Sequence, residues 1–194
     1  CSQTRSQGVG LIARMFRNPH RYIAIQALVE FCGNALLNGV IGWYWTEGLE
    51  RVPLWGWLSI ASDLAGTCFG IGFILTLVFT WRFHRRLRAG LTQPLTLDPG
   101  PSLPRLVHGL PLDPWARSLL IASGALAIAG LAVLAIQMLQ PEGLSRTEFI
   151  ALKALLAGVV AFITMNVAGY RALGDGVTPE RPLGHWPERH LRRT

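Results

Sequence analysis

Four long apolar stretches constrain this chain more than any other feature of its sequence. They cover residues 22–43, 57–81, 117–139 and 149–170. A helix of about 20 residues, rising 1.5 Å per residue, crosses the roughly 30 Å hydrocarbon core of a bilayer. We therefore predict an all-α integral membrane protein with four transmembrane helices.

The composition agrees with this prediction and excludes several other classes of protein. With 51% hydrophobic and 15% charged residues, the chain is too apolar for a soluble or a disordered domain. Its three cysteines are isolated, so they form neither a disulfide framework nor a zinc-binding spacing. The sequence contains no phosphate-binding glycine loop, serine nucleophile elbow or HExxH motif. We therefore predict no catalytic centre and no metal site.

The positions of the arginines predict the orientation in the membrane. Fifteen of the seventeen arginines lie before the first stretch, between the second stretch and the start of the third, where Arg117 is included, or after the fourth. The two short loops contain only Arg51 and Arg146. By the positive-inside rule, both termini face the cytoplasm of a bacterial cell and both short loops face outward across the inner membrane. The net charge of +7 then reflects orientation, and we predict no nucleic-acid partner.

The chain divides into five segments. Two transmembrane hairpins are predicted at 22–88 and 117–171, after a cytoplasmic arm at 1–21 that contains a short interfacial helix. A basic cytoplasmic tail covers 172–194. Residues 89–116 form a cytoplasmic linker with six prolines and many leucines. Such a linker is too apolar for a solvated tether, so we expect it to pack on the membrane surface or on another subunit.

A five-residue pattern recurs in the two outer loops. Glu47–Arg51 and Glu142–Arg146 match at four of five positions and stand 95 residues apart. Because each hairpin begins and ends on the same side, the halves would be parallel repeats related by an axis along the membrane normal. The alternative is coincidence in a chain rich in glycine and leucine.

Residues typical of membrane interfaces and helix ends flank the predicted spans. Ser145 and Glu148 have the spacing of a capping box, so the fourth helix should begin there. Six tryptophans lie close to span ends, where their amphipathic rings favour the headgroup region. The predicted anchors are Trp43, Trp45, Trp55, Trp57, Trp81 and Trp115.

Three ionisable residues and two asparagines on the same helix face as one of them are the candidate polar groups within the predicted spans, where each needs a partner or a function. Glu30, Asn34 and Asn38 share one face of the first span, because they are four residues apart. Asp63 and Lys153 lie at similar depth and are natural partners, with Asn38 available as a third member. Lys153 could instead reach the outer interface. These groups either bond helices together, within the chain or between subunits, or line a transport path or a ligand site.

Small residues at four-residue spacing predict close helix packing. The second span carries Ser62, Gly66 and Gly70, and the fourth carries Ala154 and Gly158. From the sequence, these faces could pack within the chain or against a partner.

Two histidines are the candidate cofactor ligands. His20 and His84 fall at the inner ends of the first two spans, where an imidazole could ligate haem or a chlorophyll-type magnesium. Histidines at such positions are more often interfacial groups beside arginine. With no attachment motif and no paired mid-helix histidines, we predict no cofactor.

These features favour a non-catalytic four-helix inner-membrane subunit, with an accessory or assembly role in a larger membrane protein complex. Its expected partners are the lipid bilayer, other membrane subunits and further copies of itself. The first alternative is a small transporter or channel with a polar path through Glu30, Asn34, Asn38 and Asp63. The second is a haem or pigment anchor that uses His20 or His84.

Overall fold

Four long helices form the protein. The computed structural model describes residues 18–92, 94–95, 107 and 109–174. The helices are α1 (Pro19–Trp45), α2 (Ile60–Arg88), α3 (Pro114–Leu139) and α4 (Arg146–Gly174). Each is long and apolar enough to cross a membrane, which confirms the prediction of a four-helix, multi-pass membrane protein. The interfacial helix predicted within 1–21, part of the linker and most of the tail lie outside the described residues.

Side-chain caps fix where the helices begin. The Asn18 side chain accepts hydrogen bonds from two N–H groups in the first turn of α1, and Asp113 caps α3 in the same way with one such bond. The predicted capping box of α4 is present: the Ser145 N–H donates to the Glu148 carboxylate at 2.9 Å, and the Glu148 N–H donates to the Ser145 hydroxyl at 3.4 Å. These bonds satisfy N–H groups that have no acceptor within the helix.

Helix α2 differs from the predicted span 57–81 at both ends. It begins at Ile60 because Ser59 and Ser62 form a capping box, so Trp57 precedes the helix. It continues to Arg88, since arginine is a good helix former. The arginines after Trp81 therefore lie on the last turns of this helix, beyond the predicted span.

The helices pack in the order α1, α4, α2, α3, so that α2 and α4 are central. Helices joined by a short outer loop make few contacts with each other, and each helix packs mainly on helices of the other predicted hairpin. Small residues allow these approaches. A Cβ on Gly72 of α2 would lie 2.9 Å from Ala122 of α3, and one on Gly158 of α4 would lie 3.0 Å from Phe31 of α1. The predicted hairpins are thus interlocked and do not pack as separate pairs.

A short ribbon joins the two short loops, and we name this end of the helices outer and the other end inner after the orientation that the sequence predicts. Strand β1 (Arg51–Val52) pairs antiparallel with β2 (Leu144–Ser145), with Arg51 opposite Ser145 and Val52 opposite Leu144. The sequence did not predict these strands, because two residues are too few for a strand pattern. The ribbon brings the two copies of the recurring outer-loop sequence into contact.

The buried apolar residues form two clusters, one toward each end of the helices. The outer cluster combines the ribbon with residues of α2, α3 and α4. The inner cluster combines α1, α2 and α4 with Leu95, whose N–H donates to the Leu173 carbonyl at 3.2 Å. Leu95 and Val107 are buried, so these linker residues pack within this chain, whereas we predicted packing on the membrane surface or on another subunit.

Candidate functional site

A buried salt bridge joins the two central helices. Lys153 of α4 donates to Asp63 of α2, with 2.5 Å between Nζ and Oδ1. The lysine side chain is 2% exposed and the aspartate side chain 15% exposed. The two residues that the sequence places at equal depth are thus direct partners across the interface of α2 and α4.

The surroundings of Lys153 hold its side chain inside the protein. A Cβ added to Gly42 would lie 3.4 Å from the lysine Cδ, which shows how closely α1 approaches this side chain. The ammonium group lies 6.0 Å from the ring centroids of Trp45 and Phe149. Lys153 therefore does not extend to the outer interface, which was the alternative to pairing. The second oxygen of Asp63, Oδ2, is buried and has no hydrogen-bond partner among the described residues.

The polar stripe on α1 bonds mainly to itself. The Asn34 amide donates to the Glu30 carboxylate at 3.3 Å and to the Glu30 carbonyl at 3.0 Å. The Asn38 amide donates to the Asn34 carbonyl at 3.0 Å, so Asn38 is not a third member of the ion pair. From α2, Arg82 interacts electrostatically with Glu30. Within the described segments no hydrogen bond connects this stripe to Asp63.

The two candidate cofactor histidines lie at the inner ends of α1 and α2. His20 is exposed and its Nδ1 lies 3.3 Å from the Tyr170 hydroxyl of α4, with the ring centroids 5.7 Å apart. His84 is half-buried on α2. Over the described part of the chain, no three His, Cys, Asp or Glu residues are grouped as metal ligands.

The small residues of α2 and α4 have different environments. Ala154 and Gly158 face α1, where Gly39 and Phe31 approach them closely. In contrast, no heavy atom of the described chain lies within 4 Å of a Cβ added to Gly66 or Gly70. The stripe predicted on α2 is therefore open.

Five of the six tryptophans predicted as interface anchors expose more than half of their surface: Trp43, Trp55, Trp57, Trp81 and Trp115. Trp45 differs, because its ring is half-buried and lies 5.7 Å from the Phe149 ring. Trp45 is therefore part of the outer core.

Sequence reasoning missed two buried arginines at the inner end, which it counted only as orientation signals. Arg117 is fully buried and donates to the Pro111 carbonyl at 2.9 Å and to the Leu112 carbonyl at 3.1 Å. Arg171 is 5% exposed and donates to the Leu110 carbonyl at 3.2 Å. The proline-rich end of the linker thus supplies carbonyl acceptors for both. The combination of prolines and apolar residues in the linker was the signal, available in the sequence, that this segment packs against something.

At the outer end, Arg51 of the first loop contacts the second loop, and Arg146 at the start of α4 contacts the end of α1. Arg51 donates to the Gly143 carbonyl at 3.2 Å and pairs at 3.4 Å with Glu142, across side chains that are 54% and 82% exposed. Arg146 stacks 4.4 Å from the Trp43 ring centroid and donates to the Trp43 carbonyl at 3.0 Å. Arg146 also donates to the Thr46 hydroxyl, so its contacts are the more numerous.

We predict that Arg146→Met destabilises the protein by about 2 kcal/mol, because it removes two hydrogen bonds and a cation–π contact. Arg51→Met removes the same charge from the same surface, but the contact that it removes is mainly an exposed ion pair. Its effect on stability should therefore be below about 1 kcal/mol. Unfolding in mixed micelles, followed by tryptophan fluorescence, measures both variants. Equal destabilisation would contradict the contacts assigned to Arg146.

The described intramembrane polar groups therefore form two separate sets, the ion pair between α2 and α4 and the stripe on α1. Comparisons with protein-family models, curated proteins and solved structures give no match for this chain.

Proposed function

We propose that this chain is a non-catalytic four-helix subunit of a larger membrane protein complex, with both termini on the cytoplasmic side of a bacterial inner membrane. The pairing of Asp63 with Lys153 supports this, because it gives two opposite charges within the spans a role in joining helices. The observation that carries the proposal is the open glycine stripe on α2.

The open stripe differs from the tightly packed glycines on the central helices. A Cβ at Gly72, Gly158 or Gly169 would meet another helix at 2.9 to 3.2 Å, so these glycines are needed for packing within the chain. Gly66 and Gly70 meet nothing within 4 Å. Glycine is less favourable than alanine inside a helix by about 1 kcal/mol, and lipid contact does not require it. A partner helix packed closely on this face would account for both residues.

The proposal includes the parallel internal repeat and the orientation. In the repeat, α1 corresponds to α3 and α2 corresponds to α4. The main contacts agree with this correspondence, because α1 packs on α4 as α3 packs on α2, and α2 and α4 pack on each other. Gly48 and Gly143, which stand 95 residues apart, both have positive φ, +81° and +94°. This similarity supports a two-fold axis along the membrane normal, which would place both loops on one side.

We expect Gly66→Leu/Gly70→Leu to release the chain from its complex, because the new side chains fill the surface on which a partner helix would pack. The double substitution Gly124→Leu/Gly130→Leu on α3 is the matched control, since those glycines also have nothing within 4 Å but, six residues apart, do not share a helix face. Each variant is extracted from native membranes in mild detergent and the mass of its complex is measured.

The wild type and the α3 control should run in an assembly larger than the 21.3 kDa chain, and the α2 variant should run alone with an unchanged unfolding midpoint. A wild-type chain that is a stable monomer would contradict the proposal. If the α2 variant stayed in the complex, the open stripe could no longer be the surface that binds the partner.

A further inference from the structure

A cluster of uncompensated arginines ends helix α2. Arg82, Arg85, Arg86 and Arg88 lie within its last two turns. Apart from the electrostatic interaction between Arg82 and Glu30, none of the four side chains has an acidic partner or a hydrogen bond among the described residues. Four cations in such a short segment repel one another unless an anion lies between them.

Aromatic rings hold three of these guanidinium groups in place. Arg82 and Arg86 are four residues apart and therefore neighbours on one helix face. The Arg86 guanidinium carbon lies 4.4 Å from the Tyr22 ring centroid of α1, and that of Arg82 lies 5.8 Å from Phe79. A third stacked pair is Arg85 on Trp81, at 5.6 Å. A guanidinium group beside a ring face still has N–H groups that can donate elsewhere, and its planar fork can bind phosphate in a bidentate manner.

Buried polar atoms without partners lie in the same part of the structure. Arg86 Nε, the Thr80 hydroxyl and the Thr92 hydroxyl are all buried and have no hydrogen-bond partner among the described residues. Thr92 follows the turn that ends the helix, in which the Leu91 N–H donates to the Arg86 carbonyl at 3.1 Å. Buried polar atoms are nearly always bonded in folded proteins, so the partnerless Nε of Arg86 is a buried N–H donor that lacks an acceptor.

We propose that Arg82 and Arg86, at the inner end of α2, bind the phosphate group of an anionic phospholipid. Phosphate could also come from solution, but the position of the cluster favours a lipid. The exposed ring of Trp81 directly precedes Arg82 on a helix long enough to span the membrane, and tryptophan at a span end marks the depth of the headgroups. Basic pockets between transmembrane helices bind headgroups with several charges, so cardiolipin is the probe of choice. This inference does not depend on membership of a complex.

The test uses the full chain, purified alone and placed in phosphatidylcholine nanodiscs that contain a small fraction of cardiolipin. Native mass spectrometry measures retained cardiolipin at a salt concentration that screens exposed charges. We expect Arg82→Gln/Arg86→Gln to weaken retention at least about thirtyfold, since two charge-assisted contacts are lost. Arg21→Gln/Arg88→Gln removes the same charge from arginines at the same membrane face and should weaken retention less than about threefold.

Three results would overturn the proposal. The first is equal retention by the wild type and the Arg82/Arg86 variant. The second is an equal loss in both double variants, which would show general attraction to the surface. The third is displacement of cardiolipin by inorganic phosphate at equal concentration, which would show a site for a soluble anion.

A second variant keeps the test decisive if the Arg82/Arg86 variant does not fold, which thermal unfolding detects. Arg86→Lys keeps the positive charge but loses the planar fork that binds phosphate through two N–H groups. We expect it to weaken cardiolipin retention at least about threefold. Retention equal to that of the wild type would show that the guanidinium geometry is not used, and would equally overturn the proposal.

Discussion

Replacing Lys153 with methionine is expected to destabilise the protein by about 3 kcal/mol, because removing one member of a buried ion pair leaves the other charge unpaired. The remaining group, Asp63, already has one buried oxygen without a hydrogen-bond partner among the described residues. Methionine keeps most of the length of the lysine side chain and fits beside Trp45 and Phe149, so little packing is lost. Unfolding in mixed micelles gives the free-energy change.

The matched control is the double variant Asp63→Asn/Lys153→Met, in which neither charge is present. Replacing a buried ion pair by neutral groups is often close to neutral for stability, so the double variant should recover most of the loss. The coupling energy is obtained from the wild type, the single variants Asp63→Asn and Lys153→Met, and the double variant, and it measures the pairwise interaction. Additive effects of the two single substitutions would contradict a direct interaction between Lys153 and Asp63.

The sequence was sufficient to predict the four helices and the partners of the central ion pair. Helix number follows from the length of apolar sequence that a bilayer requires, and all four spans are helices in the structure. The pairing of Asp63 with Lys153 follows from equal depth, because helical rise converts sequence position into distance along the membrane normal. Both predictions depend only on one-dimensional distances along the helices.

The arrangement of the helices could not be predicted in the same way. In a soluble protein the apolar residues of a helix gather on the face that is buried, but in a membrane the lipid-facing residues are as apolar as those in the interior. The packing of α1 on α4 and of α3 on α2 depends instead on where small side chains meet. Gly72, which closely approaches Ala122, belongs to no four-residue pattern that we recognised. Gly66 and Gly70 belong to such a pattern, yet they lie on an open face.

The buried arginines show a second limit. Position along the chain predicted Arg117 and Arg171 to be cytoplasmic charges, which sequence rules treat as exposed. Their burial depends on carbonyl groups of Leu110, Pro111 and Leu112. Those acceptors become available only when the end of the linker folds against the helices, and the prolines and apolar residues of that segment do not indicate which side chains it contacts.

Gly143→Ala is expected to destabilise the protein by at least about 3 kcal/mol, since it combines an unfavourable backbone conformation with a backbone clash. Gly143 has φ +94°, and a Cβ at this position would overlap the carbonyl oxygen of Val52. Val52 belongs to β1, whose pairing with Leu144 joins the two outer loops. Because the clash is with backbone atoms, a side-chain rotation cannot relieve it, and the ribbon must open.

Gly48→Ala is the matched control for this prediction. Gly48 occupies the equivalent position in the first outer loop and also has positive φ, +81°, but no atom of the described chain lies within 4 Å of its added Cβ. Its substitution should therefore show the conformational effect alone, about 1 kcal/mol. Unfolding of both variants in mixed micelles separates the two contributions. Equal stability of the two alanine variants would contradict the prediction, because it would show that close contact between the outer loops does not require glycine at position 143.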